Sequence, residues 1–374
     1  MIQRDLLIEN TGVQGQGVGR TENGEVVFVP GALPGDRVRV QFPAGGTRFV
    51  DGTLIEILEK SSQRVDPGCI YFGLCGGCDW LDWDYEAQLE AKQKTLDHSL
   101  KRAGWEPKVR GQFLPAAKRE GFRTRIQVRR CGENLGFYRK RTHEIVSVES
   151  CVAADPKINE ALATLRRQPS ATIEEKLELY LDAKSGEVHC VTDESHGKDG
   201  FTQGNSAQNI KLRELIADRI GVADAKCVLE LYCGDGNLSF AYAPLVKSVQ
   251  GFDGNGAAIV KANLAPQSGF DAKLSFDVAS VDERLARQLG RNFALSYDTL
   301  LVDPPRKGMG GSLNAFLFGN IRTLIYVSCS PVAFSKDTRG LSELGFSLEY
   351  VQGIDMFPHT HHIEFVAHFS RSVC

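Results

Sequence analysis

The chain has 374 residues, of which 42% are hydrophobic and 24% charged, and its mean hydropathy is −0.21. This composition predicts a soluble globular protein and excludes a disordered or fibrous chain, and the length predicts two or three domains. The net charge of −3 argues by itself against a nucleic-acid-binding protein. The sequence holds no apolar run of about 18 residues and no secretory leader at its start, so we expect a cytoplasmic protein without a membrane span. In that compartment its ten cysteines are expected to be thiols or metal ligands rather than disulfides.

Residues 1–59 have the pattern of a small β domain. Asn23-Gly24 joins two apolar stretches, which is a strong hairpin signal, and two Pro-Gly steps mark further turns. Several short strands in so short a segment predict a compact OB-like barrel. Such barrels often bind nucleic acid, and a plain β module is the alternative.

Residues 60–198 have the pattern of a central α+β domain. Leucines at positions 89, 96 and 100 predict a helix over 84–103 that ends at Gly104, and β patterning occupies 120–190 apart from a helix near 156–167. The segment 118–141 holds nine basic residues against two acidic ones, a surplus that can follow a phosphate backbone. A solvated sheet face is the alternative. The basic residues are Lys118, Arg119, Arg123, Arg125, Arg129, Arg130, Arg139, Lys140 and Arg141.

The central domain also carries closely spaced cysteines. Cys69, Cys75 and Cys78 lie in a glycine-rich stretch, and Cys151 is the best candidate for a fourth ligand. Four thiolates suit zinc or an iron–sulfur cluster. Three unrelated buried cysteines are the alternative.

From residue 199 onward, helical stretches alternate with short apolar strands, which predicts a doubly wound, mostly parallel α/β sheet with a ligand site at the strand ends. The segment LELYCGDGNLSF at 229–240 places Gly234 and Gly236 in a turn between a strand and a helix, where backbone can approach a cofactor. Asp253 ends the next strand, in the place of an acid that binds ribose hydroxyls. NAD and S-adenosylmethionine both fit this pattern.

Two further strands end in reactive groups. The strand in TLLVDPPRKG runs into Asp303-Pro304-Pro305, a rigid turn that is typical of enzymes that methylate nitrogen or carbon of flat rings. The next strand ends at Cys329, on the rim of the predicted sheet, which favours a nucleophile over a buried inert thiol.

The last motif is DMFPHTHHIEF at 355–365. Its three histidines suggest a metal at first sight, but no further ligand pattern accompanies them, so a metal is the minor interpretation. Glu364 stands inside an apolar strand start, where an acid with a raised pKa suits a general base.

With these motifs in order, the chain resembles the uracil-5 RNA methyltransferase family, in the branch that carries an iron–sulfur cluster and a TRAM domain, an OB-like RNA-binding barrel. The resemblance spans nearly the whole chain. It rests on the FxQxN motif at 201–205, LYCGDGN at 231–237, DPPR-G at 303–308, YVSC-P at 326–331 and DMFP-T-H-E at 355–364. Ser330 stands where many members have Asn, and Glu230 where Asp is commoner.

The resemblance implies a TRAM barrel at 1–59, a central domain at 60–198 and a class I S-adenosylmethionine-dependent methyltransferase domain at 199–374. Cys329 matches the family's nucleophile and Glu364 its proton-abstracting base. The implied ligands of a 4Fe–4S cluster are Cys69, Cys75, Cys78 and Cys151. The implied contacts to S-adenosylmethionine are Gln203, Tyr232, Asn237, Asp253, Asp303 and, in a region without a sharp motif, Asp277.

The expected reaction is therefore methylation of carbon-5 of a uridine in RNA. The TRAM barrel favours 23S ribosomal RNA, because many transfer-RNA members of the family lack it, and transfer RNA is the alternative. Two further hypotheses are a non-catalytic RNA-binding protein with a relict methyltransferase fold and a methyltransferase that acts on DNA or protein. We expect a monomer.

Overall fold

The computed structural model describes residues 1–43, 48–168, 173–182, 185–192, 203–294, 296–317 and 319–372. These residues form three β-sheets, of six, five and eight strands, and the sheets follow one another along the chain. The exception is the short strand β7 (Val109–Arg110), which precedes the five-stranded sheet in sequence but belongs to the eight-stranded one. None of the described helices is both long enough and apolar enough to cross a membrane.

The six-stranded sheet is built from the N-terminal residues, in the order β5-β3-β2-β1-β4-β6. The predicted hairpin through Asn23-Gly24 is confirmed, because β2 and β3 pair antiparallel on either side of it and Gly24 adopts a φ of 80°. Alternate apolar side chains of β1, β3 and β4 form one buried core. The strands are β1 (Ile2–Thr11), β2 (Gly17–Arg20), β3 (Val26–Val29), β4 (Arg37–Phe42), β5 (Phe49–Asp51) and β6 (Thr53–Glu59).

The five-stranded sheet follows in the order β10-β9-β8-β11-β12, with one helix against it. Strands β8 and β11 pair antiparallel, and this register sets Arg130 opposite Glu175. The elements are β8 (Arg125–Cys131), β9 (Asn134–Tyr138), β10 (Ile145–Ser147), α2 (Pro156–Arg166), β11 (Glu175–Leu181) and β12 (Val188–Thr192).

The helix predicted over 84–103 is α1 (Tyr85–Ala103), and β7 (Val109–Arg110) follows it. Asp84 accepts the backbone N–H of Ala87 at its start, and Gly104, with a φ of 78°, ends it as the sequence predicts. Leu96 and Leu100 pack into the core of the eight-stranded sheet, and β7 pairs with a strand of that sheet. The predicted domain boundaries stay a prediction, but this part of 60–198 packs with the C-terminal residues.

The eight-stranded sheet has the order β15-β14-β13-β16-β17-β19-β18-β7. Strands β13 to β17 run parallel, and β19 runs antiparallel between β17 and β18. Apolar cores on both faces give the doubly wound arrangement that the alternating pattern predicts. The strands are β13 (Cys227–Leu231), β14 (Ser248–Asp253), β15 (Lys273–Val278), β16 (Thr299–Val302), β17 (Thr323–Ser328), β18 (Ser347–Ile354) and β19 (Glu364–Ser370).

Helices and a short 3₁₀ turn connect these strands. Because consecutive parallel strands need a crossover, the carboxyl ends of β13, β14, β16 and β17 meet at one edge of the sheet. The helices are α3 (Ser206–Val222), α4 (Ser239–Tyr242), α5 (Gly256–Leu264), α6 (Glu283–Ala294), α7 (Leu313–Phe316) and α8 (Pro331–Asp337).

Candidate active site

Cys329 lies in the tight turn between β17 and α8. All six residues of β17 are buried, so the strand is fixed up to Ser328, and Ser330 then caps α8 by accepting the N–H of Ala333 at 3.3 Å. Cys329 is half-buried. The structure therefore places this thiol on the rim of the sheet, as its position after an apolar strand indicates.

Glu364 reaches the same edge from the opposite direction. In the antiparallel pairing of β17 with β19, Ser328 is the partner of Phe365, so the next step of the register sets Cys329 beside Glu364. Burial and the negative charge of Asp303 raise the pKa of the Glu364 carboxyl well above its usual value. Burial raises the pKa of the Cys329 thiol to about 12, with further contributions from Glu364 and Asp303. The three groups thus form one electrostatic unit.

Asp303 begins the loop after β16, and this loop is tightly closed. The N–H of Asp303 donates to the carbonyl of Leu231 at 3.3 Å, and the N–H of Met309 donates to Asp337 Oδ2 at 2.7 Å. The hydroxyl of Tyr326 donates to the same oxygen at 2.7 Å. Burial and Asp253 raise the pKa of Asp303.

Arg306 is the cation of this loop. Its positive charge counteracts the rise in the pKa of both Cys329 and Glu364. A guanidinium nitrogen of Arg306 lies 3.3 Å from His362 Nε2, and burial lowers the pKa of His362 to about 3, so this ring is neutral and accepts the hydrogen bond.

The glycine-rich turn after β13 is held by Asp253 at the end of β14. Asp253 accepts the N–H of Gly234 at 3.0 Å and that of Asn255 at 2.7 Å. Tyr232 has a φ of 62°, the left-handed region that a tyrosine seldom adopts, at the point where the chain leaves the sheet. Asn237 exchanges two hydrogen bonds of 2.9 Å with Asn209 of α3.

Glu230, on β13, is a buried acid beneath this turn. Ser239 donates to it at 2.6 Å and Tyr242 at 2.5 Å, so both hydroxyls of α4 are tied to β13. Burial raises its pKa to about 7.

The remaining predicted contacts to a methyl donor are placed differently. Gln203 is half-buried next to Asn205, which caps α3 and donates to the Met356 carbonyl at 3.0 Å. The first two residues of the FxQxN motif, Phe201 and Thr202, lie outside the described residues. Asp277 is exposed on β15 and accepts a hydrogen bond from Gln250 at 2.9 Å.

The loop at 355–363, which leads from β18 to Glu364, is fastened by residues that the sequence analysis did not single out. Lys92 Nζ lies 2.6 Å from Asp355 Oδ1, and both side chains are fully buried. Lys92 also donates to the Phe357 carbonyl at 3.0 Å, and the Tyr85 hydroxyl donates to Asp355 Oδ2 at 2.8 Å. Lys92 lies two helical turns after Tyr85 on α1, so the two polar side chains lie on the same face of the helix. This spacing was the signal in the sequence from which their shared role could have been predicted.

Two of the three histidines in this loop make structural contacts. The backbone N–H of His359 donates to Gln88 Oε1 at 3.0 Å, and its carbonyl accepts the N–H groups of Asp79 and Trp80. His361 pairs with the carboxylate of Asp79. The 355–363 loop is thus held by the segment that directly follows Cys78.

The four predicted cluster cysteines line one cavity of about 330 Å³, together with Arg123. Burial raises the pKa of Cys78 to about 12, the charges of the neighbouring cysteines act in the same direction, and Arg123 opposes them. Arg123 Nε is buried and has no hydrogen-bond partner among the described residues. No group of three or more His, Cys, Asp or Glu side chains in the described ranges is arranged for a single metal ion.

The basic segment 118–141 is largely neutralised within the fold. Six of its nine basic residues pair with carboxylates, three of which lie on or next to β11. Within the described residues, Lys118, Arg123 and Arg141 have no carboxylate partner, and Arg123 faces the cysteine cavity. The charge surplus of this segment is therefore mostly paired within the fold, and three of the six ion pairs form a ladder between β8 and the residues of or next to β11.

Two families match the chain. The family described as tRNA (Uracil-5-)-methyltransferase matches residues 190–372, and the TRAM domain matches residues 3–55. Among curated relatives, the 23S rRNA (uracil(1939)-C(5))-methyltransferase RlmD of Chromohalobacter salexigens is 30% identical over 96% of this chain and 87% of its own. An uncharacterized RNA methyltransferase of Nitrosomonas europaea is 30% identical over 94% of this chain and 92% of its own.

A solved structure has the same fold along nearly the whole chain. It is the Pyrococcus abyssi tRNA (uracil-54, C5)-methyltransferase in complex with S-adenosyl-L-homocysteine, 23% identical, which covers 98% of this chain and 99% of its own with a TM-score of 0.75. The methyltransferase fold expected for the eight-stranded sheet, with a TRAM domain before it, is confirmed.

Proposed function

The chain belongs to the uracil-5 RNA methyltransferase family and is an RNA uracil-C5 methyltransferase, and from that premise we propose that it methylates a uridine of 23S ribosomal RNA with Cys329 as nucleophile and Glu364 as base. One observation carries this assignment of roles. The antiparallel register of β17 and β19 brings the thiol and the carboxyl together at the sheet edge where Asp253 and Asp303 also end their strands.

The chemistry requires these two groups because carbon-5 of uracil is a poor nucleophile. Cys329 adds as a thiolate to carbon-6, and the electron pair of the double bond moves into an enolate, so that carbon-5 attacks the methyl group of the donor. The donor's sulfur keeps the electrons of its broken bond to the methyl group. Glu364 then takes the carbon-5 proton, the double bond re-forms, and Cys329 leaves as a thiolate. General-base help of this kind is worth about 10²–10⁴-fold in rate.

Electrostatics at the site supports binding of a cationic methyl donor. The charges of Glu364 and Asp303 disfavour ionisation of Cys329 and raise its pKa, and the charge of Asp303 raises the pKa of Glu364. S-adenosylmethionine carries a sulfonium charge that would offset these negative charges and so favour both the thiolate and the carboxylate. We propose that the donor occupies the edge formed by Tyr232, Asn237, Asp253 and Asp303, with Gln203 beside it. Asp277, exposed and bonded to Gln250, is the least supported of the proposed contacts.

The choice of RNA rests on the relatives. Two relatives that are 30% and 28% identical over 96% of this chain are named for position 1939 of 23S rRNA. The family that matches residues 190–372 is instead described for tRNA. The N-terminal TRAM domain does not decide between the two RNAs, because the Pyrococcus abyssi tRNA (uracil-54, C5)-methyltransferase has the same fold over 98% of this chain. The curated relatives favour ribosomal RNA, and transfer RNA stays the alternative.

We propose a 4Fe–4S cluster for the cysteine cavity on the chemistry of its four thiols, although the described residues hold no group of three or more side chains arranged for a single metal ion. Four thiolates would be its ligands, and Arg123, whose buried Nε lacks a partner among the described residues, would offset the negative charge they carry. Such a cluster would supply cross-linking of Cys69, Cys75 and Cys78 to Cys151, not the electrons of the reaction, because methyl transfer from a sulfonium moves electron pairs only. Iron and acid-labile sulfide in protein purified without air would support it, and their absence together with intact methylation would exclude it.

The decisive experiment combines labelled S-adenosylmethionine with unmodified RNA separated by size. Wild-type protein is expected to place label in the 23S fraction as 5-methyluridine, and Cys329→Ala is expected to place none. Cys190→Ala, which removes an exposed thiol outside the site, is the matched control and is expected to act like wild type.

A second variant separates the two roles. Glu364→Gln is expected to form a covalent RNA complex that carries the methyl group and does not resolve, because the carbon-5 proton has no acceptor. Label in transfer RNA would overturn the choice of substrate. A covalent complex formed by Cys329→Ala would refute the assignment of the nucleophile.

A further inference from the structure

A pair of aromatic rings, one exposed and one half-buried, lies at the edge of the N-terminal sheet. Phe49 of β5 is 57% exposed, and its ring stacks on that of Phe28 in β3, with ring centroids 6.4 Å apart and an angle of 26° between the planes. The guanidinium of Arg48 lies 5.7 Å from the centroid of the Phe49 ring. An exposed ring that is backed by a second ring and has a cation beside it has the chemistry of a surface on which nucleic-acid bases stack.

This ring pair is connected to the active site by one short loop. Between β1 and β2, a side-chain carbon at Gly12 would lie 3.3 Å from the Phe28 ring, and one at Gly15 would lie 2.9 Å from Cβ of His361. The Gly15 carbonyl also accepts the indole N–H of Trp80 at 3.0 Å. The loop therefore contacts Phe28 on one side and the 355–363 loop, which leads to Glu364, on the other.

We propose that Phe28 and Phe49 form a stacking platform for an unpaired base of the substrate RNA, a few nucleotides away from the uridine that enters the active site. The proposal rests on the proposed function, because it takes the RNA that enters the active site to be the RNA that reaches this platform, and the loop at residues 12–16 contacts both Phe28 and the 355–363 loop. Single-stranded RNA is the occupant that the surface favours, because sequence-specific RNA sites are loops with unstacked bases and because the platform pairs flat apolar rings with a cation. A protein partner would be expected to need a larger apolar patch.

The test compares two exposed apolar residues of the same domain. Phe49→Ala removes the outer ring, whereas Leu7→Ala removes a side chain of β1 that is also 57% exposed, and neither change disturbs the buried core. Binding of a single-stranded RNA fragment around the methylated site is measured by fluorescence anisotropy at fixed salt. We expect Phe49→Ala to weaken binding about 5- to 150-fold and to raise KM with kcat unchanged, and Leu7→Ala and Phe49→Tyr to match wild type.

A shortened RNA keeps the test specific. On a fragment cut back to the target uridine and its immediate neighbours, wild type and Phe49→Ala are expected to bind and react alike, because the platform has no base to hold. Equal binding of Phe49→Ala and Leu7→Ala to the long fragment would overturn the proposal, and so would an equal loss on both fragments. Failure of wild-type protein to methylate either fragment would instead contradict the proposed function.

Discussion

Replacement of Lys92 by methionine should separate the positioning of Glu364 from the reactivity of Cys329. The Lys92 ammonium lies 2.6 Å from the Asp355 carboxylate, and neither side chain is exposed to solvent. Burial lowers the pKa of Lys92, so its charge depends on this partner. Methionine keeps the length of the side chain but leaves the Asp355 carboxylate, among the residues that the structure describes, with the neutral Tyr85 hydroxyl as its remaining side-chain donor. Removing one member of a buried ion pair costs about 3–5 kcal/mol in the free energy of unfolding.

The stability loss can be measured by urea unfolding with tryptophan fluorescence. The chain's three tryptophans, at positions 80, 83 and 105, flank α1 and so report on the region that contains Lys92. Lys94→Met, an exposed change two residues along the same helix, is the control and is expected to stay within about 0.5 kcal/mol of wild type. The double variant Lys92→Met/Asp355→Leu is expected to recover about 0.5–3 kcal/mol relative to the sum of the single changes.

The effect on the reaction is expected in one step only. Displacement of the 355–363 loop by about 1 Å would lower kcat about 100-fold, since Glu364 would no longer reach the carbon-5 proton. With RNA that carries 5-fluorouridine, there is no proton for Glu364 to remove, so Lys92→Met is expected to form the Cys329 adduct at close to the wild-type rate. A stability loss below about 1 kcal/mol, or equal losses in adduct formation and turnover, would refute this reasoning.

Three further predictions concern single charges and one turn. Arg306→Ala is expected to slow alkylation of the proposed nucleophile by iodoacetamide several-fold near pH 8, because this cation lowers the thiol's pKa, and an equal slowing in Lys307→Ala would contradict it. The pKa of Glu230 is raised from 4.5 to about 7, so its contribution to the free energy of unfolding is complete below pH 4.5 and is lost as the pH rises through 7. Glu230→Gln is expected to remove this decline, which amounts to at most about 3 kcal/mol, from stabilities measured by urea unfolding between pH 4.5 and 8. An unchanged decline in the variant would refute the assignment to Glu230. Gly15→Ala and Gly24→Ala both place alanine at a positive φ, of 81° and 80°. The added carbon at residue 15 would also lie 2.9 Å from His361 of the 355–363 loop, so kcat is expected to fall further for Gly15→Ala. Equal activities of the two variants would show that this contact is unimportant.

The positions of the reactive groups were predictable because Asp303 and Cys329 directly follow buried strands and Asp253 ends the partly buried β14. Parallel pairing brings the carboxyl ends of these strands to one edge. The roles that the resemblance implies for Cys329 and Glu364 require the two side chains to be close together, and the register of β17 and β19 sets them side by side. Their catalytic roles stay a prediction.

The supports of the site could not be predicted in the same way. Lys92 and Asp355 are 263 positions apart, and nothing in the local pattern around either residue indicates the other. The net charge of the basic segment could not be predicted for the same reason. Arg130 is paired with Glu175, which lies on another strand and 45 positions away in the sequence. Local composition therefore showed which residues are reactive or charged, and only the pairing of distant strands showed which of those charges remain available to RNA.

The antiparallel direction of β19 determines how Glu364 is held at this edge of the sheet. In a wholly parallel sheet the strand beside β17 would present its carboxyl end at this edge, as β13 to β16 do. Because β19 runs the other way, Glu364 stands at the strand's start and is delivered by the 355–363 loop. A loop, unlike a strand end within the sheet, is open to contact from other parts of the chain, and here α1, the segment after Cys78 and the loop at residues 12–16 all touch it. Through the loop at residues 12–16, the N-terminal sheet therefore contacts the loop that leads to Glu364.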